Sequence, residues 1–383
     1  MARDESPGGH ERPGELEKEE PPQVFEPGDD AEDDRAEQVQ DQVRVRPLID
    51  DPELAERVSD EDRHGAGYLD RLAHTPVMPK RIGLVVVLVL LLAGCGGDSK
   101  PEARGPFDYD RDAALEFQDK GRVNRNYPIE IRDVSYASPG GDDEVTAFLV
   151  KPPGKGPFPG VILVHGAGGN RQQLVVQATW LAGRGAVALV VDSPFARNPG
   201  LEFPEGIPGL RVERDLIVKN VQELSRAVDV LEEHAGVEED EKIGYIGYSA
   251  GARTGAILAG NEDRVDAYVF ISGGSAPIAE VTKAVPPDVR SDVEVILTEV
   301  DPLRHVREAS PAKLLFQNGR KDEVVPRAAL LALYRAAGKP KEIRWYDATH
   351  EPTVAVYRDT LSWLTKELGL STRPVVPRAK IGP

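Results

Sequence analysis

Residues 243–258 read IGYIGYSAGARTGAIL, and this stretch decides the fold of the chain. An apolar run leads into Gly247, Ser249 and Gly251, which form a G-x-S-x-G pattern, and a helix-forming run follows directly. Strand, sharp turn and helix in this order are the context in which such a serine projects its hydroxyl above a sheet. Small residues are needed on both sides of the serine because the strand and helix backbones pass close together there. We therefore predict that Ser249 is a nucleophile.

Short apolar runs alternate with helical patterns around this motif. Continuous Val, Ile and Leu runs are typical of buried parallel strands, whereas apolar residues three and four positions apart are typical of helices. The alternation predicts an α/β fold with a mostly parallel sheet and helices on both faces. The predicted strands are 160–164, 186–191, 243–246, 265–271, 313–316 and 342–346, and the predicted helices are 172–182, 213–234, 250–259, 328–337 and 353–368.

Two more strands are predicted before this alternating region. Residues 129–136 alternate apolar and polar side chains, as a half-exposed strand does, and residues 145–150 form a second apolar run. Residues 138–142 read SPGGD, which is a strong turn signal. An antiparallel pair of strands is therefore expected at the start of the sheet.

The partners of Ser249 are expected after other strands, because reactive groups in open parallel sheets gather at the carboxyl ends of the strands. His350 follows the last predicted strand, where an imidazole can take the Ser249 proton and return it to a leaving group. Asp322 follows the preceding strand and would accept the imidazole N–H and hold its tautomer. Glu323 and Asp301 are the alternatives for this acid.

Residues 165–170 read HGAGGN and follow the first strand of the alternating region. A turn of such small residues lets backbone N–H groups point at a developing oxyanion, and we predict Ala167 and Ala250 as the two donors. The other interpretations are a plain tight turn and a phosphate loop. The phosphate loop is disfavoured because no Lys-Ser/Thr pair follows and the G-x-G-x-x-G spacing is missing.

Residues 107–370 resemble the α/β-hydrolase superfamily. The resemblance is carried by four loops: those of Ser249, Asp322 and His350, and the HGAGGN turn. The stretch FPGVILVHG at 158–166 is similar to the dienelactone-hydrolase-like and acyl-peptidase-like esterases. Dienelactone hydrolases use a cysteine nucleophile, and Ser249 departs from that pattern, so their lactone substrate is not carried over. The resemblance implies a serine hydrolase that cleaves carboxylic esters through an acyl-enzyme, without a metal or cofactor. A serine peptidase or acyltransferase, and a catalytically silent binding protein, are the competing hypotheses.

The negative charge of the chain is concentrated at its start. Residues 1–77 hold 23 acidic and 9 basic side chains, which accounts for 14 of the net 18 negative charges. This segment has few large apolar residues, so we predict a disordered acidic leader. The remainder is nearly neutral, which argues against a nucleic-acid partner because phosphate binding needs a basic face.

Residues 78–95 have the layout of a secretory signal, with a basic head, about a dozen apolar residues and a small-residue end. Their last four residues, LAGC, resemble the lipobox of bacterial lipoproteins, and Cys95 is the single cysteine of the chain. The resemblance implies lipidation of Cys95 and an extracytoplasmic, membrane-anchored protein, with 96–106 as a linker and 371–383 as a tail. Two alternatives stay open for the leader: translation starts at Met78, or the leader is a real cytoplasmic segment.

The substrate pocket has two candidate segments. Residues 192–210 are long, proline-rich and apolar for a loop, and loops of that kind are often binding walls. We predict that Phe195, Leu201 and Phe203 help to line an acyl pocket. Residues 273–312 are the second candidate segment.

Overall fold

The residues that the computed structural model describes are 105–123, 129–141, 143–238 and 240–375. The predicted leader 1–77, the signal peptide 78–95 with Cys95, and the linker up to residue 104 lie outside the described residues. The tail beyond residue 375 lies outside them as well. The assignments made for these segments therefore stay predictions.

Nine strands make up the sheet of the described residues: β1 (Gln118–Arg122), β2 (Glu130–Ala137), β3 (Glu144–Lys151), β4 (Gly160–Val164), β5 (Val187–Val191), β6 (Ile243–Tyr248), β7 (Ala267–Ile271), β8 (Lys313–Gly319) and β9 (Lys341–Tyr346). Their order is β1-β2-β3-β5-β4-β6-β7-β8-β9. The first three strands are antiparallel, β3 pairs antiparallel with β5, and every pair from β5 to β9 is parallel. The predicted antiparallel opening and mostly parallel sheet are confirmed.

Nine α-helices connect or flank these strands within the described residues: α1 (Val175–Ala182), α2 (Pro194–Arg197), α3 (Gly206–His234), α4 (Ala250–Leu258), α5 (Ile278–Val281), α6 (Pro287–Glu299), α7 (Pro302–His305), α8 (Arg327–Ala336) and α9 (Val354–Glu367). Short 3₁₀ helices add Arg171–Leu174, Thr282–Ala284 and Val306–Glu308. In this part of the chain no helix is both long and apolar enough to cross a membrane.

Helices cover both faces of the sheet, because the central strands are apolar on both sides. Every residue of β4, β5 and β7 is buried. Within β4, Ile162 faces one core and Leu163 the other. The first core packs against α3, α4 and α8, and the second against α1 and α9. This two-sided burial explains why these strands read as continuous apolar runs.

The strand order reverses at β4, and this reversal positions the site. The chain goes from β4 to β5 on one side and then crosses to β6 on the other. In open α/β sheets such a reversal opens a crevice outside the carboxyl ends of the two strands. The loops that leave β4 and β6 are the HGAGGN turn and the turn at Ser249. The predicted oxyanion turn and nucleophile are therefore neighbours in space.

Three parts of the structure differ from the predicted elements. β1 was not predicted, because its residues are polar and mostly exposed, so they show no alternation of apolar and polar side chains. The segment 192–210 is not a continuous loop: α2 lies within it and α3 begins at Gly206, since a proline is tolerated in a first helical turn. The segment 273–312 contains the 13-residue helix α6, which has one buried residue, Ile296, and so carries little helical signal.

Ile162 tests the two-sided packing of the sheet. Its side chain is fully buried between Leu189 of β5 and Tyr245 of β6. We expect Ile162→Ala to lower the free energy of unfolding by about 2–5 kcal/mol, through lost burial and the cavity left behind. Denaturant unfolding measures this change. Val295→Ala, at a valine that is 70% exposed, is the control and should shift stability by no more than about 0.5 kcal/mol. An equal loss in both variants would contradict the burial of Ile162 between β5 and β6.

Candidate active site

Ser249 occupies the turn between β6 and α4 in a strained backbone conformation. Its φ is 51° and its ψ is −108°, a region that residues other than glycine rarely adopt. The surroundings hold this conformation, because the Ser249 N–H donates to the carbonyl of Ile271 at 2.8 Å. Strain of this kind persists only where the neighbouring structure determines the backbone, and it is concentrated at functional sites.

The glycines beside Ser249 are required by close backbone contacts. A Cβ on Gly247 would lie 2.4 Å from the carbonyl oxygen of Gly251, and a Cβ on Gly251 would lie 2.4 Å from that of Val164. Both distances are far shorter than any van der Waals contact. Strands β4 and β6 and the first turn of α4 therefore meet at a spacing that only glycine permits.

His350 contacts both Ser249 and Asp322. The His350 Nδ1 lies 2.9 and 3.1 Å from the two Asp322 oxygens, and its Nε2 lies 2.9 Å from Ser249 Oγ. Because an ionised carboxylate only accepts hydrogen bonds, Nδ1–H is the donor to Asp322. In the neutral ring Nε2 is then the acceptor, and the Ser249 hydroxyl donates to it. The structure thus brings the three predicted residues into one hydrogen-bonded chain.

The loops of Asp322 and His350 are joined to each other. The Asp322 carboxylate accepts the N–H groups of Val324 and Val325, both at 2.9 Å, and its side chain is 1% exposed. The Lys321 N–H donates to the carbonyl of Ala348 at 3.0 Å. The Asp322 and His350 side chains are therefore positioned by backbone hydrogen bonds as well as by their mutual contact. The alternatives do not share this position, because Glu323 is exposed and Asp301 caps α7 by accepting the Leu303 N–H.

The turn that carries Ala167 lies directly beside Ser249. A Cβ on Gly166 would lie 2.9 Å from the Tyr248 ring and 3.4 Å from the Ser249 Cβ. Ala167 is exposed at this turn. Ala250 is the first residue of α4, so its N–H has no partner within the helix. Both predicted donors thus lie on segments that adjoin Ser249.

His165 holds this turn in place as a neutral side chain. Burial lowers the pKa of His165, which favours the uncharged ring. Its Nε2 accepts the Ser193 N–H at 3.1 Å, so its Nδ1–H donates to the Gly166 carbonyl at 2.8 Å. The Gly166 N–H in turn donates to Gln173 Oε1 at 3.0 Å. His165 thereby ties the turn after β4 to the segment after β5.

Ser272 and Tyr248 adjoin His350, and neither was predicted as a site residue. The Ser272 hydroxyl donates to the His350 carbonyl at 3.0 Å, and Ser272 is buried with a φ of 52°. The Tyr248 ring packs on the His350 imidazole with centroids 5.4 Å apart, and burial together with the nearby Glu351 carboxylate raises the pKa of the Tyr248 hydroxyl. The sequence signal for Ser272 was its place in a Ser-Gly-Gly run directly after a buried strand.

The predicted pocket residues lie on the segment that leaves β5. Phe195 is on α2, and Leu201 and Phe203 lie between α2 and α3. Their exposed fractions are 37, 38 and 42%, which are high for large apolar side chains. Their part in an acyl pocket stays a prediction. Across the described ranges, no three His, Cys, Asp or Glu side chains are grouped so that they could hold a metal ion.

Sequence comparison identifies related proteins. A model of the dienelactone hydrolase family matches residues 145–353. The peroxisomal succinyl-coenzyme A thioesterase of Mus musculus is 34% identical over 134 residues, which are 35% of this chain and 28% of that protein. Acyl-coenzyme A thioesterase 1 of Rattus norvegicus is 28% identical over 180 residues, 46% of this chain and 39% of that protein. The chain therefore spans well under half the length of these relatives.

Solved structures with the same fold include two esterases. Acetyl xylan esterase 1 from a Thermoanaerobacterium species matches with a TM-score of 0.58 and 20% identity, over 68% of this chain and 90% of that one. An acetyl xylan esterase from a Paenibacillus species has a TM-score of 0.55 and 22% identity, over 66% and 89% of the two chains. At this identity the likeness concerns the fold alone.

Ser272 provides a test of how His350 is positioned. We expect Ser272→Ala to slow covalent labelling of Ser249 by a fluorophosphonate about fivefold, because the His350 carbonyl loses a hydrogen bond worth about 1 kcal/mol. The labelling rate is measured across pH, since a misplaced base changes the pH profile and a merely loosened fold does not. Ser275→Ala, three residues further on, is the control. Equal rates and pH profiles in both variants would contradict a positioning role.

Proposed function

The chain belongs to the dienelactone hydrolase family, and from this membership we propose that it is a serine hydrolase that cleaves carboxylic esters through an acyl-enzyme. The observation that carries the proposal is the hydrogen-bonded chain from Ser249 through His350 to Asp322. A serine hydroxyl is a weak nucleophile at neutral pH, so it needs an adjacent base. His350 Nε2, at 2.9 Å from the hydroxyl, is placed to be that base.

The first half of the reaction forms the acyl-enzyme. Ser249 Oγ attacks the ester carbonyl carbon while His350 Nε2 takes the hydroxyl proton. The carbonyl π electrons move to oxygen, and the N–H groups of Ala167 and Ala250 stabilise that oxyanion. When the intermediate collapses, the bond to the alcohol oxygen breaks and His350 returns the proton to the leaving alcohol. Asp322 holds the imidazole tautomer and stabilises the transient imidazolium.

The second half releases the acid. Water attacks the acyl carbon, again with His350 taking a proton, and the bond from the acyl carbon to Ser249 Oγ breaks as that proton passes to Oγ. The products are the alcohol, the carboxylic acid and the unchanged enzyme. Apart from the ester and water, this cycle uses side chains and backbone groups of the described residues.

Variants of the three residues test this proposal. We expect Ser249→Ala to abolish fluorophosphonate labelling, and Asp322→Asn and His350→Ala each to lower kcat for a p-nitrophenyl ester about a thousandfold or more. Ser249→Ala removes the proposed nucleophile, Asp322→Asn no longer holds the correct imidazole tautomer, and His350→Ala removes the proposed base. Thermal unfolding checks that each variant is folded. Glu323→Gln, at the exposed neighbour of Asp322, is the control and should retain the parent kcat within about twofold.

Two outcomes would overturn the proposal. Labelling that persists in Ser249→Ala would place the nucleophile elsewhere. A parent protein that is folded but neither labelled nor active on any ester would favour the alternative of a binding protein with a hydrolase fold.

A thioester is the second candidate substrate, because the mouse and rat relatives are named as acyl-coenzyme A thioesterases. The same attack by Ser249 would apply, with a thiol in place of the alcohol as leaving group. A thiolate leaves more readily than an alkoxide, so proton return from His350 matters less for a thioester. The two substrates therefore place different demands on the same side chain.

This difference can be measured with one acyl group on two leaving groups. For the ester hydrolase proposed here, we expect kcat/KM for a butanoyl ester of an alkyl alcohol to equal or exceed that for the butanoyl thioester of N-acetylcysteamine. His350→Ala should reduce ester turnover more than thioester turnover. A thioester preference above about tenfold in the parent protein, once corrected for the uncatalysed rates, would favour a thioesterase instead.

A further inference from the structure

Asp192 is a buried carboxylate at the point where the chain leaves β5. It is 8% exposed, and it follows Val191, the last residue of that strand. Burial of a carboxylate is costly unless its oxygens accept hydrogen bonds or pair with a cation. The groups that satisfy Asp192 come from β3 and from the residue after the HGAGGN turn. This carboxylate therefore connects the turn with the predicted oxyanion donor to the sheet.

The main partner of Asp192 is Arg171, the residue that directly follows the turn. The Arg171 backbone N–H donates to Asp192 Oδ1 at 2.6 Å, and the Arg171 Nε lies 3.3 Å from Asp192 Oδ2. The hydroxyl of Thr146 on β3 donates to the same Oδ2 at 2.7 Å. Asp192 thus joins the end of the turn to β5 through its own backbone and to β3 through Thr146.

The side chain of Arg171 is also bound to the antiparallel part of the sheet. Its Nη1 donates to Asp133 Oδ1 of β2 at 2.7 Å and to the carbonyl of Ala147 on β3 at 3.0 Å. Its guanidinium lies over the Phe148 ring, 4.2 Å from the ring centroid. Charge-assisted hydrogen bonds of this kind are about twice as strong as neutral ones. Arg171 therefore has a fixed position at the end of the turn.

A short helix links the position of Arg171 to the turn itself. Arg171 begins the 3₁₀ helix Arg171–Leu174, in which Gln173 accepts the Gly166 N–H through its Oε1 at 3.0 Å. Gly166 directly precedes Ala167 in the chain, so a shift of this helix would also shift the peptide that carries the Ala167 N–H. The orientation of that N–H therefore depends on what holds Arg171.

The Ala167 N–H is available to a substrate. Within the described residues it donates to no acceptor, whereas the N–H groups of Gly166 and Gly169 on either side are both hydrogen-bonded. A Cβ on Gly166 would lie 3.4 Å from the Ser249 Cβ, so the turn adjoins the hydroxyl that would attack an ester. Oxyanion donors act through an orientation that is fixed before the reaction. The contacts that fix this turn therefore bear on catalysis.

We propose that Asp192 is a positioning residue of the oxyanion site and acts by holding Arg171 at one end of the turn. This inference rests on the proposed serine hydrolase function. The other end of the turn is held by His165, which accepts the Ser193 N–H at 3.1 Å. Asp192 and Ser193 are adjacent, so one short segment after β5 holds both ends of the turn and orients the Ala167 N–H between them.

The test compares p-nitrophenyl butanoate with its thiono analogue, in which sulfur replaces the carbonyl oxygen. Sulfur is a weak hydrogen-bond acceptor, so the donors of the oxyanion site favour the oxygen ester. We expect Asp192→Ala to lower the ratio of kcat/KM for the oxygen ester over the thiono ester about tenfold, because a displaced donor weakens oxyanion stabilisation. A variant that is merely less well folded loses activity on both esters alike, and its ratio stays unchanged.

Two further variants keep the test independent of how Asp192→Ala folds. Asp192→Asn keeps an oxygen that can accept the Arg171 N–H and should retain part of the ratio. Thr146→Val removes the hydroxyl that donates to Asp192 and should lower the ratio by a smaller factor than Asp192→Ala. Asp266→Ala is the matched control, because the Asp266 carboxylate also accepts a backbone N–H, that of Ile243 at 2.9 Å, but at the opposite edge of the sheet. Its ratio should equal that of the parent protein.

The results separate this inference from the proposed function. If the parent protein is labelled by fluorophosphonate and hydrolyses the oxygen ester, while the folded variants of Asp192 and Thr146 keep the parent ratio, the positioning role is wrong and the serine hydrolase stands. A ratio that falls equally in Asp266→Ala would also overturn the positioning role. If the parent protein is not labelled, or is inactive on both esters, the serine hydrolase itself is wrong, and the role of Asp192 falls with it.

Discussion

The structure depends on the close approach of three backbone segments around Ser249. The end of β4, the end of β6 and the first turn of α4 meet at distances that exclude a Cβ on Gly247 or Gly251. Beside this crowding Ser249 has a φ of 51°, and its Oγ lies 2.9 Å from His350 Nε2. Because the sheet is buried on both faces, the turn cannot relax without disturbing both cores. Strain at one residue is thus stabilised by the packing of the whole domain.

The same edge of the sheet gathers the other residues of the proposed active site. Parallel strands end on one side, so the loops after β4, β6, β8 and β9 meet there without any specific attraction between their side chains. Hydrogen bonds between these loops then fix their relative positions. The Lys321 N–H joins the Asp322 loop to the His350 loop, and Ser272 ties the His350 carbonyl to the end of β7. Topology brings the triad residues within reach, and backbone contacts determine their distances.

Much of this arrangement was predictable from local sequence patterns. The central strands are continuous apolar runs, and Ser249, Asp322 and His350 each follow such a run, so pattern and chain order were sufficient to select them. β1 and α6 were not predicted, because they bury little apolar surface and their apolar residues show no strand or helix periodicity. Ser272 was missed for a different reason. Its place in a Ser-Gly-Gly run after a strand is visible in the sequence, but its hydrogen bond to the His350 carbonyl joins two separate loops and is visible only in the structure.

By itself the sequence determined the α/β class, the strand-turn-helix at Ser249 and the order of serine, aspartate and histidine, because each depends on residues that are close in the chain. Only the tertiary structure decided that His350 lies 2.9 Å from both Ser249 and Asp322, that Asp301 caps a helix, and that Ser272 holds the His350 carbonyl. These facts join residues from separate strands and helices. The spacing between such residues is set by the packing of the sheet and its helices, which no local pattern encodes.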